Sequence, residues 1–377
     1  MAAGYPPTHP AVVVIAKREP LAVIERPTKA PGPGEVVVRV QWMASSPLEL
    51  HQADGGLLID SPHVLGSGFA GVVVATGPED PDAKKPFSAP LVVGDRVMGF
   101  TFKNNDQRGY QTYVTVPRNL MGRVPEGISL QAATTVPGNL VTAFHTITKD
   151  LGLELPWPIP AGYVPPQADS PILVWGAASS VGMFILQVLQ HWGYKNTIAV
   201  ASKKHHEELK SYGAKACFDY READVTDQIR ALQTHIPYIV DCIGHVDGTL
   251  RPLSKVATRG SVVAVMLPVI IRDATADHEP VLGMDPNELK QIKWEEGVTL
   301  RGVRTFFYDE NDFFRWHLQP DIIPEILAAG VVKPNRQRIV EGATLLERAQ
   351  KAIDLLRERA PSGERLVWRV SEEGDEN

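Results

Sequence analysis

Residues 171–182 read Pro-Ile-Leu-Val-Trp-Gly-Ala-Ala-Ser-Ser-Val-Gly, and residues 197–202 read Thr-Ile-Ala-Val-Ala-Ser. The apolar run at 172–175 has the length and residue types of a buried parallel strand, and the small residues after it permit a sharp turn. A helix is predicted to begin at Ser179 or Ser180, because one helical face then collects apolar residues. These are Val181, Phe184, Ile185, Val188, Leu189 and Trp192. The order strand, turn, helix, strand indicates a βαβ unit whose helix start can hold a pyrophosphate.

The turn departs from the Gly-x-Gly-x-x-Gly pattern of dinucleotide-binding proteins. The three glycine positions hold Ala177, Ser179 and Gly182, with an additional Gly176 directly before them. Two of the three glycines are therefore absent, and the prediction of a dinucleotide site rests on the order of the elements around the turn. The alternative is an ordinary βαβ crossover that binds no ligand.

The residues after the second strand indicate which dinucleotide is bound. An NAD site has an Asp or Glu about 20 positions after the last glycine, where it accepts a hydrogen bond from the ribose 2′-hydroxyl. This chain has Ser202, Lys203, Lys204 and His205 there, and the first acid is Glu207. Hydroxyl, ammonium and imidazole groups suit a 2′-phosphate, so the sequence predicts NADPH as the cofactor. The alternative is that the two lysines form a solvated helix start.

The composition is that of a globular protein with two domains or one large divided domain. The chain has 377 residues, 44% of them hydrophobic, and a formal net charge of −6, which does not favour a nucleic-acid partner. Neither a signal-like N-terminus nor an apolar run of membrane-spanning length occurs, so we expect a cytoplasmic protein with no membrane partner. The two cysteines, Cys217 and Cys242, lie in separate strand-like runs and do not predict a disulfide.

The sequence pattern changes class twice along the chain. Residues 11–117 contain short β-type runs between glycine and proline turns, which predicts a small twisted barrel. At 171–303 strands alternate with helices, which predicts a parallel sheet covered on both faces. A helical stretch follows at 309–329, with a break expected near Pro320. Residues 337–370 return to the first type, so the parallel-sheet domain is predicted to be inserted into the barrel domain.

Short motifs occur in a fixed order over nearly the whole chain. They are Gly66-x-x-x-Ala70-Gly71-Val72-Val73, Gly94-Asp95-Arg96-Val97, Gly109-x-x-x-Tyr113-Val114-x-Val116-Pro117, residues 176–182, Tyr212-Gly213-Ala214, Phe218-Asp219-Tyr220 and Ser362-Gly363-Glu364-Arg365-Leu366-Val367. In this order they resemble the medium-chain dehydrogenase/reductase superfamily. The resemblance implies an α/β fold that combines a discontinuous GroES-like β-barrel domain with a Rossmann doubly wound parallel sheet. We expect the GroES-like catalytic domain at 1–140, the Rossmann NADPH-binding domain at 141–305 and the return to the catalytic domain at 306–377.

Within this superfamily the chain is most similar to the zinc-free branch of quinone oxidoreductases and enoyl reductases, and above all to fungal trans-acting enoyl reductases of polyketide synthases. Zinc-dependent members have a Cys near the position of Ser45 or Ser46 and a His-Glu pair where this chain has Ser67 and Gly68. A catalytic zinc needs three protein ligands, and a structural zinc usually needs four. We therefore expect no metal.

The resemblance and the patterns above together imply which residues form the site. Cofactor contacts are expected from Leu48, Glu49, Leu50 and His51 on the nicotinamide side, from Ser179, Ser180, Val181 and Gly182 at the pyrophosphate, from Ser202, Lys203, Lys204, His205 and Tyr220 at the 2′-phosphate end, and from Leu267, Pro268, Leu366 and Val367 near the nicotinamide. Substrate contacts are expected from Pro137, Gly138, Asn139, Leu140, Val141, Thr142, Ala143 and Phe144. His51 and Asn139 are the expected catalytic residues. The alternative for His51 is a helix-surface histidine, and the alternative for Asn139 is an ordinary helix residue. For Tyr220 the alternative is a core aromatic.

These residues lead to a functional hypothesis. Without a zinc ion to polarise an alcohol, reduction of a C=C bond next to a carbonyl is the favoured reaction, with NADPH as hydride donor. The favoured substrate is an enoyl thioester presented by a carrier protein, possible partners being that carrier and a polyketide synthase; a free quinone or enone is the second choice. The protein itself is expected to be a monomer or a homodimer. The alternative from another class is a non-catalytic NADPH-binding protein.

Overall fold

A computed structural model describes residues 4–81, 83, 84 and 86–371, and these form two compact units. Unit 1 combines the described residues of Met1–Val141, Ala274–Glu279 and Tyr308–Asn377, and unit 2 combines Thr142–Asp273 and Pro280–Phe307. Unit 1 is therefore discontinuous, because the chain leaves it and returns. The brief return at Ala274–Glu279 was not anticipated from the sequence.

The structure contains β-strands of two to eleven residues. In chain order they are β1 Thr8–Val14, β2 Ala22–Pro27, β3 Glu35–Ser45, β4 His63–Val64, β5 Gly68–Thr76, β6 Arg96–Phe100, β7 Tyr113–Pro117, β8 Met121–Arg123, β9 Ile172–Trp175, β10 Thr197–Val200, β11 Ala214–Phe218, β12 Tyr238–Asp241, β13 Val262–Met266, β14 Val269–Arg272, β15 Val281–Gly283, β16 Thr299–Val303, β17 Gln337–Ile339 and β18 Arg365–Arg369.

The α-helices are mostly short, and the longest has 13 residues. In chain order they are α1 Pro47–Gly55, α2 Leu130–Ala133, α3 Pro137–His145, α4 Ser180–His191, α5 His206–Ser211, α6 Val225–Leu232, α7 Arg251–Val256, α8 Asp312–His317, α9 Ile323–Ala328 and α10 Leu345–Arg357.

The strands of unit 1 form two sheets. The larger has the order β17-β18-β3-β5-β6-β8, with β7 also paired to β3, and the smaller has the order β2-β1-β4. The long strand β3 is antiparallel to β5, β7 and β18, and most of its residues are buried. Val38, Phe69 and Val114 on these strands belong to one apolar core. The end of β3 leads directly into α1, so this central strand positions the first predicted site residues.

The main sheet of unit 2 is parallel throughout. Its order is β11-β10-β9-β12-β13-β16, and β14 and β15 form a separate antiparallel pair. Leu173, Ile198, Ile239 and Val263 from four neighbouring strands lie in one apolar core. The strand order reverses beside β9, between its neighbours β10 and β12. In open α/β sheets, ligands bind at the carboxyl ends of the strands at such a point.

Four strands and one helical detail differ from the sequence-based prediction. β2, β8, β14 and β15 were not predicted, because they are only partly buried or three residues long and carry little periodic signal. The expected break near Pro320 is a wide helical turn of the π type at Leu318–Ile322, between α8 and α9. A proline has no N–H to donate to a regular helix, which explains the irregular turn there.

A buried ion pair connects α1 to α10 in unit 1. Arg357 Nε donates to Asp54 Oδ2 at 2.7 Å, and Arg357 Nη2 donates to Asp54 Oδ1 at 2.8 Å. The Asp54 side chain is only 2% exposed. Arg357 also donates to Asp354 on its own helix, but that carboxylate is 44% exposed. The Asp54 pair therefore holds the helix that follows β3 in place.

We predict that Arg357→Met lowers the free energy of unfolding by about 3 kcal/mol, because it leaves the buried Asp54 carboxylate without its cation. Urea unfolding measures the change. Asp354→Ala is the control, and its loss should stay below about 1 kcal/mol because that pair is exposed. Adding Asp54→Asn to Arg357→Met should restore part of the stability. Equal stabilities for Arg357→Met and the control would contradict the prediction.

Candidate active site

The turn between β9 and α4 has the geometry of a dinucleotide-binding turn. Gly176 has φ of +75°, and a Cβ on it would lie 2.6 Å from Ile243 Cγ1. A Cβ on Gly182 would lie 2.6 Å from the Gly176 carbonyl oxygen and 2.7 Å from Ala177 Cα. A residue with a Cβ atom therefore does not fit at position 182, where the first turn of α4 packs against the end of β9. This is the packing role of the last glycine of the pattern.

Ser179, one of the two serines expected from the sequence to begin the helix, is the N-cap of α4. Its Oγ accepts a hydrogen bond from Gly182 N at 3.1 Å, and its backbone is extended. The N–H groups of the first helical turn have no carbonyl partners within the helix and are directed out of its N-terminal end. With the positive end of the helix dipole they favour an anion at that end.

A buried carboxylate, not identified from the sequence, shapes the loop beside this turn. Asp241 ends β12, is 0% exposed, and accepts hydrogen bonds from Ile243 N and Gly244 N at 3.0 Å each. Thr249 Oγ1 donates to its other oxygen at 2.5 Å. Burial raises the pKa of the Asp241 carboxyl. These bonds fix the loop that carries Ile243, the residue against Gly176. The sequence signal that could have revealed Asp241 is an acidic residue at the end of an otherwise apolar strand.

The segment after β10 carries the predicted 2′-phosphate residues. Lys203 and Lys204 are exposed, whereas His205 is only 6% exposed. A ligand at the surface of this turn would reach the two lysines before the imidazole. Ser202 Oγ donates to the Tyr220 hydroxyl at 3.4 Å, and Tyr220 is 49% exposed. The alternative that Tyr220 is a core aromatic is therefore wrong.

Asp219 and Arg221 complete this segment, and neither was assigned a role from the sequence. Asp219 accepts hydrogen bonds from Lys203 N and Arg221 N at 3.0 Å each. The Arg221 guanidinium lies 5.5 Å from the centre of the Tyr220 ring. The Asp219 carboxylate thus holds the turn and also pairs with Arg221, whose Nε donates to Asp219 Oδ1 at 3.2 Å.

In unit 1, Ser45 has a structural role; it is one of the two serines near the position of the cysteine in zinc-dependent relatives. Ser45 is 2% exposed, its Oγ is 2.7 Å from the Tyr110 hydroxyl, and Trp368 Nε1 donates to it at 2.9 Å. Across the described ranges, no group of three or more His, Cys, Asp or Glu residues is arranged to hold a metal ion. The absence of zinc from the functional protein stays a prediction.

Most side chains of α1 are buried, although the sequence analysis expected several of them to contact the cofactor. Glu49 is 1% exposed, and its Oε2 accepts hydrogen bonds from Ser46 N at 2.6 Å and Ser46 Oγ at 2.5 Å. This capping box closes the start of α1, so the carboxylate of Glu49 serves its own helix. Leu50 belongs to the apolar core, and Leu48 is partly exposed. His51 is 7% exposed, which makes the alternative of a helix-surface histidine wrong.

Asn139 lies on α3 and is held by a residue that the sequence analysis missed. Its Nδ2 donates to Thr135 O at 3.0 Å, and Arg365 Nη1 donates to Asn139 Oδ1 at 3.4 Å. Arg365 Nη2 also donates to Ala44 O on β3 at 3.0 Å. Burial lowers the pKa of Arg365, and the charge of Glu49 opposes that shift. Arg365 thus brings β18, β3 and α3 together around the Asn139 amide.

The remaining predicted residues are mostly buried. Pro137, Leu140, Val141, Ala143 and Phe144 are buried, which leaves Gly138, Asn139 and Thr142 as the partly exposed members of the predicted substrate segment. Leu366 and Val367 on β18 are also buried, as is Pro268, while Leu267 is partly exposed. Buried side chains of this set can approach a ligand through backbone atoms alone. No helix in the described part of the chain has both the length and the apolarity to cross a membrane.

Comparison with known proteins identifies the family. The family model for an alcohol dehydrogenase GroES-like domain matches residues 32–143, and the model for a zinc-binding dehydrogenase matches residues 180–294. The trans-enoyl reductase tndF of Aspergillus flavipes is 32% identical over 257 residues, which cover 65% of this chain and 69% of that protein.

Solved structures share the fold. The CurK enoyl reductase has a TM-score of 0.71 at 15% identity and covers 97% of this chain and 99% of its own. Mycobacterial Rv1454c, solved in complex with NADPH, has a TM-score of 0.67 at 22% identity and covers 96% of this chain and 99% of its own. The predicted fold class, a GroES-like domain with a Rossmann-like parallel sheet, is confirmed. The chain belongs to the medium-chain dehydrogenase/reductase superfamily.

Proposed function

We propose that this chain is an NADPH-dependent enoyl reductase, which transfers hydride to the β-carbon of an α,β-unsaturated carbonyl. The observation that carries the proposal is the turn between β9 and α4, where Gly182 makes room for a close approach of strand and helix. The similarity to tndF, named a trans-enoyl reductase, supports the reaction class. A relative of similar fold was solved with NADPH, which supports the cofactor class.

The residues of unit 2 fit the two charged parts of NADPH. The helix start at residues 179–182 suits the pyrophosphate, because its N–H groups and dipole favour an anion. Lys203 and Lys204 offer two exposed cations for a 2′-phosphate. The Asp219 carboxylate, which would repel a phosphate, is bonded to Lys203 N and Arg221 N and paired with the Arg221 side chain. We propose Ser202 and Tyr220 as polar and aromatic contacts at the same end.

The residues of unit 1 fit a carbonyl substrate. Bound NADPH would supply the hydride, and the protein would orient the acceptor and stabilise the charge that develops on its oxygen. Asn139 is fixed by Thr135 O and Arg365, so its amide is preorganised for such a contact. We propose His51 as a second polar group of the site, and solvent or this imidazole as the source of the α-carbon proton.

We further propose that the acceptor is an enoyl thioester on a carrier protein of a polyketide synthase. The similarity to tndF, which is named a trans-enoyl reductase, supports an enoyl acceptor. A quinone oxidoreductase of Pseudomonas syringae shares the fold, so a free quinone or enone is the second candidate.

Purified protein should oxidise NADPH faster with crotonyl thioester than with a simple enone or a quinone, because the thioester is the substrate class of the proposal. NADPH absorbance measures the rates. A preference for quinone would favour the second candidate. NADPH binding with no turnover of any acceptor would contradict catalysis and leave a non-catalytic binding protein.

Replacing Lys203 and Lys204 by Ala should raise the KM for NADPH by about 10–100-fold, because charge-assisted hydrogen bonds to the 2′-phosphate are lost. The KM for NADH should stay nearly unchanged, since NADH lacks that phosphate. Lys210→Ala with Lys215→Ala removes the same charge from outside the turn and serves as the control. An equal rise for both cofactors, or in the control, would contradict the assignment.

Gly182→Ala should weaken NADPH binding at least tenfold and lower the free energy of unfolding by about 1–3 kcal/mol, because the new methyl group overpacks the turn. Nucleotide fluorescence and urea unfolding measure the two effects. Gly248→Ala, whose Cβ would lie no closer than 3.4 Å to its neighbours, is the control in the same unit. Unchanged NADPH affinity in a folded Gly182→Ala protein would overturn the placement of the pyrophosphate.

A further inference from the structure

A cavity of about 340 Å³ lies in unit 1 against the large sheet, and none of its lining residues belongs to the predicted site. Four neighbouring strands, β18, β3, β5 and β6, contribute Arg369, Trp42, Val72 and Arg96 to it. Ser129, Leu130 and Gln131 at the start of α2 line it as well. We call this space the sheet cavity. Its size falls at the lower end of the range of small-molecule pockets, about 300–1,000 Å³.

Among the described residues, the lining of the sheet cavity has two cations and no carboxylate. The Arg369 guanidinium lies 4.7 Å from the centre of the Trp42 ring, close enough for a cation–π contact with the indole. Arg96 is exposed, and Arg96 Nη2 donates to Ile128 O at 2.8 Å. A guanidinium has five N–H donors, so this single bond leaves Arg96 with donors to spare. Positive charge with no carboxylate among the lining residues favours an anion in the space between.

A buried glutamine also lines the sheet cavity. Gln41 is 3% exposed and lies on β3 next to Trp42. The backbone oxygen of Gln41 is already bonded, because Val370 N donates to it. The side-chain amide of Gln41 is therefore a further polar group that a ligand in the sheet cavity can contact.

We propose that the sheet cavity binds a small organic oxyanion, a carboxylate or a phosphate ester of a few carbon atoms. Arg96 and Arg369 would bind the anionic oxygens, and the Gln41 amide would donate its N–H. Val72 and Leu130 cover the apolar part of the ligand. The two arginines lie on strands three spacings apart, about 14 Å between backbones, so a compact ligand contacts both long side chains. The site does not depend on the hydride chemistry proposed above.

The experiment uses the full-length protein with malonate and, in a second arm, glycerol phosphate, each against sodium chloride at the same ionic strength. Titration calorimetry gives the affinity, and the indole N–H signal of Trp42, assigned with Trp42→Phe, reports the location. We expect saturable binding and a shift of that one signal among the 7 tryptophans. Stronger binding in one arm identifies carboxylate or phosphate chemistry.

Arg96→Gln and Arg369→Gln should each weaken binding about tenfold, the loss of one charge-assisted hydrogen bond. Arg338→Gln removes the same charge from β17, outside the sheet cavity, and should keep the affinity. Gln41→Leu should also weaken binding, because it removes the amide group from the cavity lining. The proposal is overturned if neither anion binds saturably, or if Arg338→Gln weakens binding as much as the cavity variants.

Discussion

The contact between the start of α4 and the end of β9 is the constraint on which the rest of the site in unit 2 depends. A methyl group at Gly182 would approach the Gly176 carbonyl to 2.6 Å, so strand and helix meet without a side chain between them. This contact aims the helix start at the carboxyl edge of the sheet. Ser179 caps it, and Asp241 fixes the adjacent loop. Two glycines of the pattern are absent, and the remaining one, Gly182, stands where strand and helix meet.

In unit 1 the main constraint is different, because polar groups at the end of β3 are buried. Ser45 is bonded to Tyr110 and Trp368, and Glu49 is bonded back to Ser46. The side-chain oxygens of Ser45 and Glu49 therefore have hydrogen-bond partners within the protein, which low-polarity surroundings favour. In the zinc-dependent members of the family the position of Ser45 or Ser46 provides a metal ligand. In this chain a hydrogen-bonded network takes that place, and Arg365 extends it to Asn139.

Sequence periodicity revealed the elements with strong burial patterns and missed those without. The parallel strands β9, β10, β12 and β13 are nearly all apolar and were predicted, whereas β2 alternates between partly buried and exposed residues. Local signals also narrowed the cap of α4 to Ser179 or Ser180, because a cap depends on residues three positions apart. The burial of His205 and of most of the α3 residues was not visible, because an isolated helix pattern does not say what packs against each face.

The sequence by itself determined the family, the order of strands and helices, the turn at 176–182 and the cationic character of residues 203–204. Only the tertiary structure brought Arg365 to Asn139, 226 positions away, and Arg357 to Asp54, 303 positions away. The same holds for Gln41 beside Arg96 and Arg369 in the sheet cavity. The physical reason is range: caps, turns and periodic faces depend on neighbours along the chain, whereas buried polar contacts depend on which strands the sheet places side by side.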